Sequence, residues 1–221
     1  MIFLKKLLRV FYTLNHSTIV IFPGFGMHPS NYEQMFPENA DLIYLDIWND
    51  SEFQNIKQGF KTGEITPPGT PKYDIWFSKI VEQCRERIES ERTNNEKIIY
   101  FAHSIGAEIC NDLYENADAV ITYGFGKQFK KIDNVPTFHL LGTLDAYISS
   151  KLDEWPKGFI PILNGDHFSC SNEAGKLLAE KWRSELGIPK INEYTQNNFP
   201  QAKILVKNEI NKIIDSLNSR N

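Results

Sequence analysis

The chain has 221 residues, 41% of them hydrophobic and 13% aromatic, which is an ordinary composition for one globular domain. Its net charge is −4 with both signs interspersed, so nucleic acid is not an expected partner. The three cysteines are too few and too widely spaced for a disulfide framework or a zinc site. We therefore predict free thiols in a reducing, cytoplasmic compartment.

The amino-terminal segment, MIFLKKLLRVFYTL, is apolar but is interrupted by Lys5, Lys6 and Arg9. These charges leave no run long enough to span a bilayer, so we expect no stable membrane insertion. No small-residue cleavage site follows, which disfavours a signal peptide. An edge strand or a packed helix is the favoured interpretation, and an amphipathic segment lying on a surface is the alternative.

Six apolar runs predict strands; they lie at 17–24, 41–48, 97–103, 118–126, 137–145 and 158–166. A loop rich in Gly, Pro and Thr is predicted at 59–72. Helical spacing predicts helices at 30–36 (with Ser30 as the N-cap), 73–92, 105–115 and 171–186. Because the strands alternate with helices and are apolar on both faces, the predicted fold is α/β, a mostly parallel sheet of about six strands with helices on both faces.

The carboxyl-terminal region differs in composition from the rest of the chain. We assign residues 1–187 to the domain, followed over 188–221 by a polar linker and an amphipathic helix. The apolar face of this helix carries Val206, Ile210, Ile213, Ile214 and Leu217. That face must dock somewhere, either on the chain's own domain or on a partner, for which a homodimer is the simplest case.

Ser104 stands where the apolar strand IIYFAH stops, within the pentapeptide AHSIG. A strand that turns abruptly into a helix strains its apex residue and needs small residues two positions before and after it. Ala102 and Gly106 meet that need. We predict Ser104 to be a nucleophile on such an elbow, with the N–H of Ile105 at the helix start as an oxyanion donor. A simple helix N-cap is the alternative.

A serine nucleophile needs a base, and the base needs a carboxylate to orient it. His167, in NGDHFS after the last predicted strand, is favoured as the base over His28 in the loop after the first. Asp145, at the end of its own strand, is the favoured carboxylate. The alternative carboxylates are Asp166, Asp153 and Glu154.

The other three histidines are interpreted as structural. His139 lies in the middle of the strand TFHLL and is expected to be a packed core residue. His103 directly precedes Ser104 and is expected to point away from it, since successive strand residues face opposite sides. His16 precedes the first clear strand and has no predicted role in the site.

The order Ser104, Asp145, His167, each after its own strand, resembles that of the α/β-hydrolase superfamily over about residues 17–187. The resemblance implies a second oxyanion donor in the loop FPGFG, namely the N–H of Phe25. Gly24 and Gly26 would allow the backbone to approach the substrate closely. Many members have histidine at the position of Pro23, so the chain departs from the family pattern there.

Two further departures indicate a minimal, lidless member of that superfamily. The connection between residues 126 and 135 is too short for a cap, and residues 1–16 leave room for at most one leading strand. An open site suits a small ester, or a substrate of which only the reacting end enters. The residues predicted to line the pocket are Gly24, Phe25, Gly26, Met27, Trp48, Tyr147 and Phe168, with a core position as the alternative for Trp48 and Phe168. His28 and Asp46 are the predicted polar contacts to the substrate.

The expected activity is hydrolysis of a carboxylic ester or thioester through an acyl-enzyme on this Ser-His-Asp triad. No metal and no organic cofactor is expected, because the chain has no clustered metal-ligand spacing and no phosphate-binding loop. A lyase or a peptidase using the same residues is an alternative, since a fold does not determine a reaction. A catalytically silent binding module is the other alternative.

Overall fold

The computed structural model describes residues 17–48, 58, 62, 71–92, 97–127, 129, 134–145, 148, 157–185 and 199–219. The predictions for the amino-terminal segment 1–16 (His16 included), for most of the loop 59–72 and for the linker up to 198 concern residues outside these ranges. Within them, no helix is long and apolar enough to cross a membrane.

The described residues form one sheet of six strands, all parallel. Its strands are β1 (Ser17–Phe22), β2 (Asp41–Tyr44), β3 (Lys97–His103), β4 (Ala119–Tyr123), β5 (Thr137–Gly142) and β6 (Phe159–Ile162). The order across the sheet is β2-β1-β3-β4-β5-β6. The chain therefore reverses direction across the sheet between β1 and β3. In open α/β sheets, ligands bind outside the carboxyl ends of the strands at such a switch point.

Four α-helices and two 3₁₀ helices are seen within the described ranges. They are α1 (Pro71–Glu91), α2 (Gly106–Cys110), α3 (Glu173–Glu185) and α4 (Phe199–Asn218), with 3₁₀ turns at Pro29–Met35 and Tyr114–Asn116. One face of the sheet packs against α1 and α2, and the other against the Pro29–Met35 helix, α3 and α4. This confirms the predicted α/β class, a parallel sheet with helices on both faces.

Strand alternation explains the two separate cores. Ile98, Tyr100 and Ala102 of β3 belong to the core beneath α1 and α2, and Ile99 and Phe101 belong to the opposite core. All five side chains are almost fully buried. A central parallel strand is covered on both faces, so it needs an apolar side chain at nearly every position.

Several predicted boundaries were wrong. The predicted strand 41–48 pairs only as far as Tyr44, because Leu45, Ile47 and Trp48 are buried as loop residues rather than by strand pairing. The predicted helix 105–115 is only five residues long as an α-helix. The polar pair Asn111 and Asp112 follows it, and such side chains favour turns over helix interiors.

The cap of the first 3₁₀ helix was also mispredicted. Its N-cap is His28 rather than Ser30, and the His28 ring accepts a hydrogen bond from the Ser30 N–H. In the reciprocal hydrogen bond, the side-chain oxygen of Asn31 accepts from the His28 N–H at 2.9 Å. Pro29 at the first helical position suits a helix that begins here, because its missing N–H costs nothing there.

Helix α4 packs on the chain's own sheet. Val206, Ile210 and Ile214 of its apolar face are buried in the same core as β1 and β3. Lys97 Nζ donates to the Leu217 carbonyl at 2.6 Å, which satisfies one of the orphan carbonyls at the helix end. From the sequence, the apolar face of α4 could dock either on the domain or on a homodimer partner. In the structure this face is covered by the chain's own sheet.

Replacing Ile210 with alanine is expected to lower the free energy of unfolding by about 2–5 kcal/mol, because its side chain is fully buried. Ile204→Ala is the matched control, since Ile204 lies on the same helix but is 58% exposed; we expect a change of about 0.5 kcal/mol or less. Urea unfolding of both variants measures the difference. Equal midpoints would contradict docking of α4 on its own domain.

Candidate active site

Ser104 occupies a sharp turn between β3 and α2. Its φ is +52°, in the left-handed region that residues other than glycine rarely adopt. Its N–H donates to the Tyr123 carbonyl of the neighbouring strand β4 at 3.0 Å, and its carbonyl accepts from the Ala107 N–H at 3.0 Å. These bonds hold the strained backbone in place. The side chain is half-buried, so its hydroxyl can be reached from the carboxyl edge of the sheet.

The turn needs a residue without a side chain at position 106. A Cβ there would lie 2.7 Å from the Pro23 carbonyl oxygen and 2.8 Å from the Phe22 carbonyl carbon. Backbone atoms of β1 cannot move aside as a flexible side chain can. The predicted need for small residues around Ser104 therefore has a direct steric cause, the close approach of the end of β1.

His167 and Asp145 form a buried hydrogen-bonded pair. His167 Nδ1 lies 2.8 Å from Asp145 Oδ2, and the Asp145 side chain is fully buried. The other carboxylate oxygen accepts from the Ile148 N–H at 3.2 Å. An ionised carboxylate only accepts hydrogen bonds, so Nδ1 carries the proton and Nε2 is left as the basic nitrogen.

The alternative carboxylates do not take this position. Asp166 turns its carboxylate back into its own loop, where it accepts from the Phe168 N–H at 2.9 Å and the Ser169 hydroxyl at 2.8 Å. Lys176 faces it across 3.9 Å, and both side chains are almost completely buried. Asp166 therefore shapes the loop that presents His167. Asp153 and Glu154 lie outside the described residues.

The structure brings the pair up to the serine turn. The ring centroid of His167 lies 4.9 Å from that of His103, the residue before Ser104. A Cβ on Gly124 would lie 3.0 Å from His167 Nδ1, and Gly124 follows Tyr123, which accepts the Ser104 N–H. Within the described residues the Ser104 hydroxyl makes no hydrogen bond to the His167 ring. Catalytic hydrogen bonds often tighten only when substrate binds.

The loop after β1 is held as a tight turn. The Met27 N–H donates to the Gly24 carbonyl at 3.0 Å, and Gly26 has a φ of +70°. Trp48 supports it by donating its indole N–H to the Pro23 carbonyl at 3.2 Å and by packing edge-on against Phe25. The turn is thus rigid at the position where the resemblance places the oxyanion donor.

The two predicted oxyanion donors differ in their surroundings. The N–H of Ile105 donates to no acceptor within the described part of the chain. Phe25 is half-buried at the tip of its turn. Because α2 is only five residues long, it contributes less dipole than the sequence suggested. That these two N–H groups bind an oxyanion stays a prediction. Stabilisation of the oxyanion then depends on the two individual donors rather than on the helix dipole.

The predicted pocket residues divide into two groups. Met27 and Trp48 are each only 1% exposed, so they support the turn from below and offer no surface to a substrate. Phe168 is half-buried and meets the His167 ring edge-on, with centroids 5.3 Å apart. Tyr147 lies outside the described residues.

His28, the alternative base, makes its contacts within its own loop and at the surface. Its Nδ1 is engaged by Ser30, and its Nε2 lies 3.8 Å from the Asp46 carboxylate at the surface. These contacts give it no carboxylate as close as the one that His167 has in Asp145, so His167 stays the favoured base. His139 is a buried core residue as predicted, stacked on Phe159 and hydrogen-bonded to Thr122, and its burial lowers its pKa.

Sequence reasoning missed two residues beneath the site, His103 and Tyr32. The fully buried ring of His103 lies directly against His167. Burial, and then the neighbouring His167, hold the pKa of His103 well below its ordinary value. The sequence did contain one indication of this. Residue 103 shares a strand face with Ile99 and Phe101, so its imidazole was expected to be buried. A buried polar group needs hydrogen-bond partners, so His103 could have been expected to bond to neighbouring groups.

No cluster of three or more metal-ligating side chains occurs among the described residues. The three cysteines are free and buried, and burial raises the pKa of Cys84 to about 12, so it is not a reactive thiol. No protein-family model matches the chain, and no curated protein matches its sequence. Function has to be inferred from the geometry of the site itself.

Proposed function

We propose that this protein is a serine hydrolase that cleaves a carboxylic ester or thioester through an acyl-enzyme on Ser104. The observation that carries the proposal is the buried hydrogen bond between His167 Nδ1 and Asp145, presented beside a serine with a strained, left-handed backbone. Strain and a buried carboxylate both cost stability, so their meeting at one sheet edge indicates a functional site.

In this mechanism the Ser104 oxygen attacks the carbonyl carbon of the substrate. His167 Nε2 takes the hydroxyl proton and passes it to the leaving alcohol or thiol. Asp145 keeps Nδ1 protonated and stabilises the imidazolium that forms. The N–H groups of Ile105 and Phe25 donate to the tetrahedral oxyanion. Water activated by His167 then releases the acid and restores the serine.

The surroundings of the turn support an acyl group of apolar character. Phe25, Ile105 and Phe168 are half-buried; Ile105 follows Ser104, Phe168 follows His167, and Phe25 lies in the loop of the proposed second oxyanion donor. The order of the triad along the chain supports membership of the α/β-hydrolase superfamily. The mechanism requires no metal and no organic cofactor. A cytoplasmic location is proposed because all three thiols are free.

Reaction with a fluorophosphonate, read by intact mass, is expected to give one adduct on the wild type and none on Ser104→Ala. The probe phosphonylates an activated serine without any assumption about the substrate. Ser78→Ala is the matched control: Ser78 is an exposed helix serine whose hydroxyl donates to a backbone carbonyl, so its loss should leave labelling intact.

A folded wild type without an adduct would contradict the proposal and would favour the silent binding module. If the adduct forms, matched ester, thioester and amide substrates of equal acyl length come next. Faster turnover of the ester or thioester than of the amide is the expected result. An amide preference would instead indicate a peptidase, and loss of labelled substrate without hydrolysis products would indicate a lyase.

A further inference from the structure

A continuous chain of hydrogen bonds runs beneath the proposed site, from the loop after β1 to the loop after β6. The Gly24 N–H donates to the Tyr32 hydroxyl oxygen at 2.9 Å. That hydroxyl lies 2.8 Å from His103 Nδ1, and His103 Nε2 lies 2.8 Å from the main-chain carbonyl oxygen of His167. All these contacts are buried, so water does not compete for them.

The chemistry of the end groups sets the direction of each bond. The His167 carbonyl can only accept, so His103 Nε2 must carry a proton. Burial holds the pKa of His103 well below its ordinary value, so the ring is neutral and Nδ1 is the acceptor. The Tyr32 hydroxyl therefore donates to His103. Met27 Sδ also lies 3.1 Å from that hydroxyl, but a thioether is a weaker acceptor than an imidazole nitrogen. His103 is thus a neutral imidazole in a single tautomer.

Packing couples the same groups. A Cβ on Gly24 would collide with His103 Nδ1 and would lie 2.9 Å from its Cε1, so the backbone of the loop rests on the imidazole ring. The ring of His167 also packs against this imidazole, with ring centroids 4.9 Å apart. His103 also precedes Ser104 in the chain. The His103 side chain therefore contacts the loop of Phe25 and the base, and its backbone leads directly into the nucleophile turn.

We propose that His103 and Tyr32 are positioning residues that hold the Phe25 loop and the His167 backbone in register with Ser104. The inference rests on the proposed function. The hydrogen bonds of these two side chains go to the Gly24 N–H, to each other and to the main-chain carbonyl of His167. Both act through the Gly24 N–H and the His167 carbonyl, and small displacements of either group would separate the oxyanion donor and the base from the serine.

Tyr32→Phe tests this inference, because it keeps the ring and removes only the hydroxyl that joins Gly24 to His103. In saturation kinetics with a fluorophosphonate, the limiting labelling rate is expected to fall about 10- to 100-fold. The apparent affinity for the probe should stay within about two-fold of the wild type. Tyr100→Phe is the matched control, since Tyr100 is a buried tyrosine of β3 in the opposite core.

A pair of substitutions at position 103 separates hydrogen bonding from packing. His103→Gln keeps a donor and an acceptor and is expected to retain more labelling rate than His103→Leu, which keeps neither. Nitrogen-15 spectra of the histidine rings provide an independent readout. We expect His103 in the wild type to be protonated only on Nε2, and that signature to change in Tyr32→Phe.

The outcomes distinguish this inference from the proposed function. A wild type that takes no adduct would overturn both, since there would be no reaction to position. A labelled wild type with Tyr32→Phe at the same rate would overturn only the role of the hydrogen-bond chain. Equal rates for His103→Gln and His103→Leu, or a wild-type His103 protonated on Nδ1, would do the same.

Discussion

Asp145→Asn is expected to lower the rate of fluorophosphonate labelling by about 10⁴-fold while leaving the protein folded, by analogy with the corresponding change in the serine protease triad. The asparagine side chain has nearly the same shape, and its amide oxygen can still accept the Ile148 N–H. Its NH₂ group, however, would donate to His167 Nδ1. The imidazole would then carry its proton on Nε2, facing the serine, and could not accept the hydroxyl proton.

Asp166→Asn is the matched control for this prediction. Asp166 adjoins His167 in the chain and is also buried, but its carboxylate accepts hydrogen bonds from its own loop. Removing its charge leaves the buried Lys176 without the carboxylate that faces it, so we expect a loss of about 3 kcal/mol in unfolding free energy. Labelling should fall far less than in Asp145→Asn. The reverse ranking of the two labelling rates would identify Asp166 as the orienting carboxylate and refute the triad assigned above.

Gly106→Ala is expected to lower the free energy of unfolding by more than about 3 kcal/mol, which is severe for one added methyl group. The new Cβ would overlap the carbonyl groups of Phe22 and Pro23, at the end of β1. Relief requires the start of α2 to move away from the end of β1, at the point where the serine turn and the Phe25 loop meet. Both labelling and stability should therefore be lost together, as measured by intact mass and by urea unfolding.

Gly158→Ala provides the comparison for that change. Gly158 has a φ of +87°, and a Cβ there would meet nothing within 4 Å. Its substitution therefore carries only the backbone cost of the left-handed region, about 1–2 kcal/mol, without a collision. If the two variants lose the same stability, steric overlap at Gly106 is not what requires a glycine in the nucleophile turn.

Much of the fold could be predicted because its signals are local. Apolar runs such as IIYFAH indicate buried strands, and their alternation with helical segments indicates a parallel sheet. The small residues around Ser104 could be recognised for the same reason, because the sharp turn requires small side chains only two positions before and after its apex. Helix and strand ends were less well predicted. Burial in a loop extends an apolar run without strand pairing, as at Leu45 and Trp48.

By itself, then, the sequence determined the fold class, the strained turn at Ser104, and the few histidines and carboxylates that were candidates for the base and its orienting group. Only the tertiary structure decided that Asp145, and not Asp166, contacts His167, and that α4 packs on its own sheet. It alone joined His103 to Tyr32 and His167, which lie 71 and 64 residues away along the chain. Local periodicity determines which face of a strand a side chain occupies, but which group meets it there depends on the order of the strands across the sheet.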